Sequence, residues 1–167
     1  MGTVYFEDLA VGERIGSLDK GRMTTAHIMR WSAAVENWHR IHYDWRFATE
    51  HDKLPDVLIN GSWKQHVLVQ LVKDSLGDGG WLWKIRFRYK RMDIAGDSIR
   101  AGAEVLERQE IDGLGFVTVR VALTNQNDEI STAGFAIGVV PLRDGPPVPY
   151  PFVARPAYDA VRMPEDD

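Results

Sequence analysis

Residues 60–80 read NGSWKQHVLVQLVKDSLGDGG, and the reading of this stretch decides the fold. Trp63, Val67, Leu68, Leu71, Val72 and Leu76 recur at the three- and four-residue spacing that lays apolar side chains along one helical face. Asn60-Gly61-Ser62 opens this helix, expected over roughly residues 63–76, and Gly77-Asp78-Gly79-Gly80 stops it. A stripe this continuous needs a broad apolar surface to lie against.

The downstream sequence supplies one. WLWKIRFRYK (81–90) alternates over much of its length, and residues 98–111, 115–126 and 129–142 follow as further strands. Ala95-Gly96-Asp97, Asp112-Gly113 and Asn127-Asp128 separate them, so the set reads as an antiparallel meander. Upstream, residues 3–22 form an extended lead-in with one strand near Glu13–Ser17. A threonine of Thr24–Thr25 is placed to cap a helix carrying Ile28, Met29, Trp31, Ala34 and Val35 and ending near Asn37. A short second helix is expected from Asp44, its cap, to about His51, before Leu54-Pro55-Asp56 breaks it. The order predicts an α+β domain over residues 1–142, a strongly curved antiparallel sheet wrapped around one long helix. An irregular, proline-rich tail occupies 143–167. An open sheet leaves an edge unpaired, so a dimer is expected.

Composition narrows the function. The chain has 167 residues, 44% of them apolar, enough for one core. Its net charge of −4 does not favour nucleic acid or an anionic membrane as partner. The absence of cysteine excludes disulfides, thiolate metal sites and a cysteine nucleophile. No apolar run approaches bilayer length. The opening MGTVYFEDLAVGERI carries early acids and no apolar core of a signal peptide, so the cytoplasm is the expected compartment.

Chemistry concentrates in residues 37–44, NWHRIHYD. His39 and His42 lie three apart, with Asn37 before them and Asp44 after. A zinc site would need a third ligand with its own signature, and His66 has no partner motif. Two loop histidines can equally form a solvated patch. Acid–base chemistry needs a histidine, a group that orients its ring, and donors for developing oxyanion charge. Backbone N–H groups at the start of the long helix, at Asn60-Gly61-Ser62, suit that last role, since glycine admits a ligand close to the backbone. An ordinary turn and cap explains the same residues, and spacing alone leaves these alternatives open.

HRIHYD, then DWRFATEH, then LPDVLINGSWKQHVLVQLV, resembles the MaoC-like hot dog-fold hydratases and dehydratases of enoyl and 3-hydroxyacyl thioesters. That family's signature is Asp, one residue, Asn-Pro, one residue and His, then Ala, then an apolar pair followed by His-Gly at the central helix. Here the run is Asn37-Trp38-His39-Arg40-Ile41-His42, then Ala48, then Leu58-Ile59-Asn60-Gly61. YFEDLAVGERI and FRYKRMDIAGDSIRAGAEV are also similar to the family, and the resemblance spans about residues 5–140. Asn37, His39, Arg40, Ile41, His42, Tyr43 and Asp44 look closest to the mitochondrial-type 3-hydroxyacyl-thioester dehydratases and the mesaconyl-CoA (C4) hydratases.

The resemblance implies a hot dog fold and reversible addition of water across the 2,3 double bond of an enoyl thioester. His42 would be the general base, and Asn37 would position water. His39 would act as second acid/base or orient His42, and the Gly61 N–H, with that of Ser62, would hold the enolate oxygen. Asp44 could fix the His42 tautomer, although capping the next helix suits it better. Asn60, Trp38 and Trp63 would border the substrate. The carrier, coenzyme A or acyl carrier protein, brings phosphates, for which Arg88 and Arg91 in the basic row 84–91 are candidates. No metal and no cofactor beyond the coenzyme A of the substrate is implied, and the partner would be a second copy or another hot dog chain. Three positions depart from the family: Asn37 replaces the aspartate, His39-Arg40 replaces Asn-Pro, and Asn60 replaces the histidine before glycine. An asparagine cannot take a proton. The rival readings are therefore a non-catalytic hot dog partner subunit, an acyl-thioester-binding protein, and a thioesterase. The last would want a carboxylate on the central helix, where Asp74 lies at the far end from Gly61.

Overall fold

The computed structural model describes residues 2–165; Met1, and Asp166 and Asp167 at the end of the expected tail, lie outside the described residues. Five strands, β1 (Arg14–Arg22), β2 (Trp81–Tyr89), β3 (Ser98–Ile111), β4 (Leu114–Thr124) and β5 (Ile130–Pro141), form one antiparallel sheet. Helix α1 (Thr25–Ala34) precedes the central helix α2 (Gly61–Leu76). The sheet lies against α2, which buries Val67, Leu68, Leu71, Val72 and Leu76 on Ile99, Val105, Val119, Val121 and Leu123. Each such side chain contributes about 1.5–3 kcal/mol by leaving water. This is the hot dog arrangement that the sequence implies. α2 stops at Gly77, whose φ of +68° is one that L side chains rarely adopt.

The strand order is β1-β3-β4-β5-β2, which corrects the expected meander. Only β3, β4 and β5 follow one another; β2 pairs with β5 at the opposite end from β1. Ile94–Asp97 do form a turn, the Asp97 N–H donating to the Ile94 carbonyl, but residues 91–97 do not join neighbouring strands because they are also bonded elsewhere. The Ile59 N–H donates to the Asp93 carbonyl, the Ala95 N–H to Val57 and the Gly96 N–H to Met23, which carries the chain across to the far edge. β1 is longer than expected. α1 buries Ile28 and Ser32 rather than its whole apolar set, leaving Met29 and Val35 exposed. Of the two threonines it is Thr24 that caps it, accepting the His27 N–H. Among the described residues no helix is long and apolar enough to cross a membrane.

The segment after Leu142 packs on the outer face of this chain's own sheet. Tyr158 and Val161 are buried there against Phe116, Ile137 and Val139, with Trp81, Trp83 and Phe152 around them. β4 and β5 therefore have apolar residues on both faces, which accounts for their near-continuous apolar runs.

One charge interrupts the buried face of α2. Lys64 Nζ lies 2.6 Å from Asp93 Oδ2, with the side chains 4% and 1% exposed, and it donates to the Arg91 carbonyl at 3.0 Å. The pair fastens the 91–97 segment to the start of α2. Lys64→Met leaves the Asp93 carboxylate buried without its counter-charge, so it should cost about 3–5 kcal/mol. Urea unfolding at pH 7 measures this, and a midpoint equal to wild type would refute it.

Candidate active site

His39 opens a single helical turn, Arg40–His42, by accepting the Ile41 N–H on Nδ1 at 3.4 Å. Asn37 turns back on its own chain, its Oδ1 accepting the His39 N–H at 3.2 Å. These two local bonds place His42 inside, at 7% exposure, while His39 stays exposed. The two rings meet edge-on with centroids 6.2 Å apart.

His42 Nδ1 lies 2.7 Å from the Leu58 carbonyl oxygen. A carbonyl accepts, so Nδ1 carries the proton, and in the neutral ring Nε2 keeps its lone pair. Burial lowers the ring's pKa from the ordinary 6.5; the bond to Leu58 opposes this and His39 adds to it. A neutral imidazole with one nitrogen tied and the other basic is suited to taking a proton.

Asp44 does not reach this ring. Its Oδ1 accepts the Phe47 N–H at 3.0 Å and its Oδ2 pairs with Arg40 at 2.7 Å, so it caps the short helix that ends at His51, the turn Phe47–His51 being π-helical. The Phe47 N–H and the Arg40 guanidinium hold its carboxyl below the usual range. Leu58 therefore sets the His42 tautomer.

Leu58 also ties the histidine turn to α2. Its N–H donates to the Ile41 carbonyl at 2.8 Å, and three residues later the helix begins. That much chain spans at most about 11 Å. The Asn60 carbonyl accepts from Trp63 and Lys64, and the Asn60 side chain makes no cap. The Gly61 and Ser62 N–H groups are the first of the helix and have no carbonyl a turn below them. N–H groups in this position, at the positive end of a helix dipole, are suited to an anionic oxygen.

Asn60, expected to border the substrate, lies inside the protein. It is fully buried, with its amide facing Ser32 Oγ at 3.0 and 3.3 Å, because a buried amide must find partners. It supports α1 and does not border open space. Ser62 Oγ accepts the Trp31 indole N–H at 2.9 Å. Trp63 is half-buried against the core, and Trp38 is exposed, edge-on to Tyr43.

Most of the basic row 84–91, though exposed, has neighbours in the protein. Lys84 lies over the Trp83 ring, Arg86 donates to the Pro164 carbonyl, Arg88 is partnered, and Arg91 pairs with Glu129. The sequence reading missed Tyr89. Its hydroxyl donates to the Gly61 carbonyl at 2.7 Å, and a Cβ on Gly61 would sit 3.0 Å from its ring. Burial raises the Tyr89 pKa, which keeps this donor protonated. The alternation that puts Ile85, Phe87 and Tyr89 on one face was the available signal. Among the described residues no three His, Asp or Glu side chains group as metal ligands.

The same region carries the likeness to known proteins. The sequence model of the hydroxyacyl-thioester dehydratase type 2 family matches residues 14–97, half of the 167-residue chain. The chain belongs to that family. The matched span runs from β1 to just before β3, so it holds both histidines, α2, Tyr89 and Asp93. Membership sets the reaction class as hydration or dehydration of an acyl thioester. No curated protein matches the chain in sequence. A MaoC-like dehydratase from Rhodospirillum rubrum shares the fold with a TM-score of 0.73 at 23% identity, over 84% of this chain and 98% of its own. An (R)-hydratase from A. caviae involved in PHA biosynthesis gives 0.71 at 21%, over 81% and 99%. The ChsH1–ChsH2 complex from Mycobacterium tuberculosis gives 0.65 at 20%, over 79% and 98%. Identities this low carry the fold and not the reaction.

The His42 environment has a consequence for stability. The folded chain binds a proton at His42 less readily than the unfolded chain, whose pKa is the ordinary 6.5. The stabilisation is complete above that value and is lost as pH falls from it through the lowered folded value. Thermal melts between pH 8 and pH 4, about the ordinary histidine range, should show this decline in wild type and a shallower one in His42→Gln. Parallel curves would refute the assignment.

Proposed function

We propose that this protein adds water reversibly across the 2,3 double bond of an enoyl thioester carried on coenzyme A. The observation that carries the reading is His42: buried, and tied through Nδ1 to the carbonyl of Leu58, three residues before α2 begins. Nε2 takes a proton from water as the oxygen bonds to C3. The double-bond electrons move to the thioester oxygen, and the Gly61 and Ser62 N–H groups hold the enolate. Imidazolium His42 returns the proton to C2 on the same face. One such oxyanion donor is typically worth about 3 kcal/mol. Asn37, with its oxygen bonded to His39, has its amide nitrogen left to hold the water. His39 has Nδ1 on Ile41 and serves as orienter of the turn, with its other nitrogen open to solvent.

The motif from Asn37 to Asp44 supports a place beside the mitochondrial-type dehydratases and mesaconyl-CoA hydratases. Exposed Trp38 supports a bulky acyl group. The unpaired edges of β1 and β2, with exposed Met29, Trp38 and Trp45, support pairing with a second copy or another hot dog chain. A second reading, a non-catalytic partner subunit, is favoured by one observation: Asn37 cannot accept a proton, and its oxygen serves the local turn.

Purified protein incubated with enoyl-CoA thioesters, from crotonyl to aryl and branched dicarboxylic forms, should remove the conjugated-thioester absorbance of at least one. His42→Ala should lower that rate by about a thousandfold. A folded wild type inert toward the whole panel supports the partner reading instead. Tyr89 offers a finer check. Its hydroxyl bonds the carbonyl of the peptide whose N–H belongs to Ser62, so it orients and polarises that donor. Tyr89→Phe keeps the ring against Gly61 and should lower kcat about tenfold, the worth of ~1.4 kcal/mol, with KM unchanged. A rise in KM alone would make Tyr89 a substrate contact instead.

A further inference from the structure

The β2 row is occupied by neighbours, yet the molecule has a second basic surface that sequence reading did not single out. His27, Arg30, Trp31 and Ala34 stand at i, i+3, i+4 and i+7 of α1 and so share one helical face. Lys20 of β1, Met23 and Trp63 of α2 complete the walls of a pocket of about 370 Å³. No carboxylate lines it, in a chain with 24 acidic and 20 basic residues. Lys20 is bonded to a neutral group, the Gln70 amide oxygen at 2.8 Å, and so keeps its charge uncompensated. His27 Nδ1 takes the Thr24 N–H at 3.1 Å. The indoles are held in place: Trp31 by its bond to Ser62 and Trp63 by the core. Through Trp31 the pocket adjoins the start of α2.

Two fixed aromatic faces beside three basic side chains match a flat heterocycle bearing phosphate. His27, Arg30 and Ala34 are exposed, so the pocket opens at the surface. That suits the head group of a carrier better than an acyl chain, which gains by burial. We propose that this pocket binds the adenosine 3′-phosphate end of the coenzyme A thioester, with the purine against Trp31 and Trp63 and the phosphate on Lys20, Arg30 and His27. The pantetheine arm then runs around Trp31 to the thioester at Gly61 and Ser62. The proposal rests on the thioester reading above but can be tested without turnover.

The probe is adenosine 3′,5′-bisphosphate, titrated calorimetrically into full-length wild type and Arg30→Glu. Wild type should bind it, at least tenfold tighter than adenosine or inorganic phosphate, and Arg30→Glu should bind at least tenfold more weakly. No binding, equal binding to the variant, or full competition by inorganic phosphate would overturn the proposal. In turnover, Arg30→Glu should raise KM for the coenzyme A thioester at least tenfold more than for the N-acetylcysteamine thioester of the same acyl group. An equal rise for both would place the acyl end in the pocket and overturn the proposal. If the bisphosphate binds through Arg30 and no thioester is turned over, the hydratase reading fails and the nucleotide site stands.

Discussion

Leu58 uses both of its backbone groups on one turn. Its N–H donates to the Ile41 carbonyl and its carbonyl accepts from the His42 ring. Its neighbours face the other way: Val57 and Ile59 bond to Ala95 and Asp93. Three segments distant in sequence therefore meet on three residues that lead into α2. A buried backbone group without a partner costs as much as a lost hydrogen bond, so this junction fixes all three segments at once. The histidine turn cannot shift without orphaning Leu58, and β3 cannot begin elsewhere without releasing residues 93–95. The bend that sends the chain from β2 across to β3 is thus also what positions the candidate base.

The start of α2 is held from a second side by polar contacts. Lys64 and Asp93 form a buried pair one helical turn beyond Gly61, while Tyr89 closes on the Gly61 carbonyl and Trp31 on the Ser62 hydroxyl. None of these contacts engages the Gly61 or Ser62 N–H, and together they restrain the backbone that carries them. Donors that are fixed before charge develops need no reorganisation when it does, which is the property an oxyanion site requires. The same arrangement explains glycine at position 61. A Cβ there would sit 3.0 Å from the Tyr89 ring, which would have to give way by a few tenths of an ångström, so glycine relieves a protein contact before any ligand is considered.

Much of the architecture was legible because periodicity reports burial. The stripe of α2, its stop at Gly77 and the four late strands follow from spacing and turn residues, each within a few residues of the observed bounds. Strand order was not legible, because pairing depends on where residues 91–97 find hydrogen-bond partners, and Val57–Ile59 lie far away in sequence. Lys64 reads as a surface residue until Asp93 is placed beside it. In the site, the family motif pointed to His42 and Gly61, whereas the contact of Asn60 with Ser32, 28 residues away, was not legible. Arg91 likewise looked open in the sequence because Glu129 is 38 residues away.

Asn37 bears most directly on the chemistry. In a site built on a carboxylate and a histidine, the carboxylate can hold water, take a proton, or stabilise an imidazolium. Asparagine retains only the first. His42 does not need the third, because its Nδ1 proton is already directed to a carbonyl, which accepts from either the neutral or the charged ring. Nor is the second needed if one nitrogen both takes the proton from water and returns it to C2, since addition on one face lets a single base serve both steps. The Asn37 oxygen meanwhile bonds the His39 N–H and so holds the turn that carries His42 inward. An aspartate there would place a negative charge near a buried imidazole and raise its pKa, favouring the protonated form. With asparagine that charge is absent, and burial lowers the ring's pKa, which favours the neutral form that the proposed base requires.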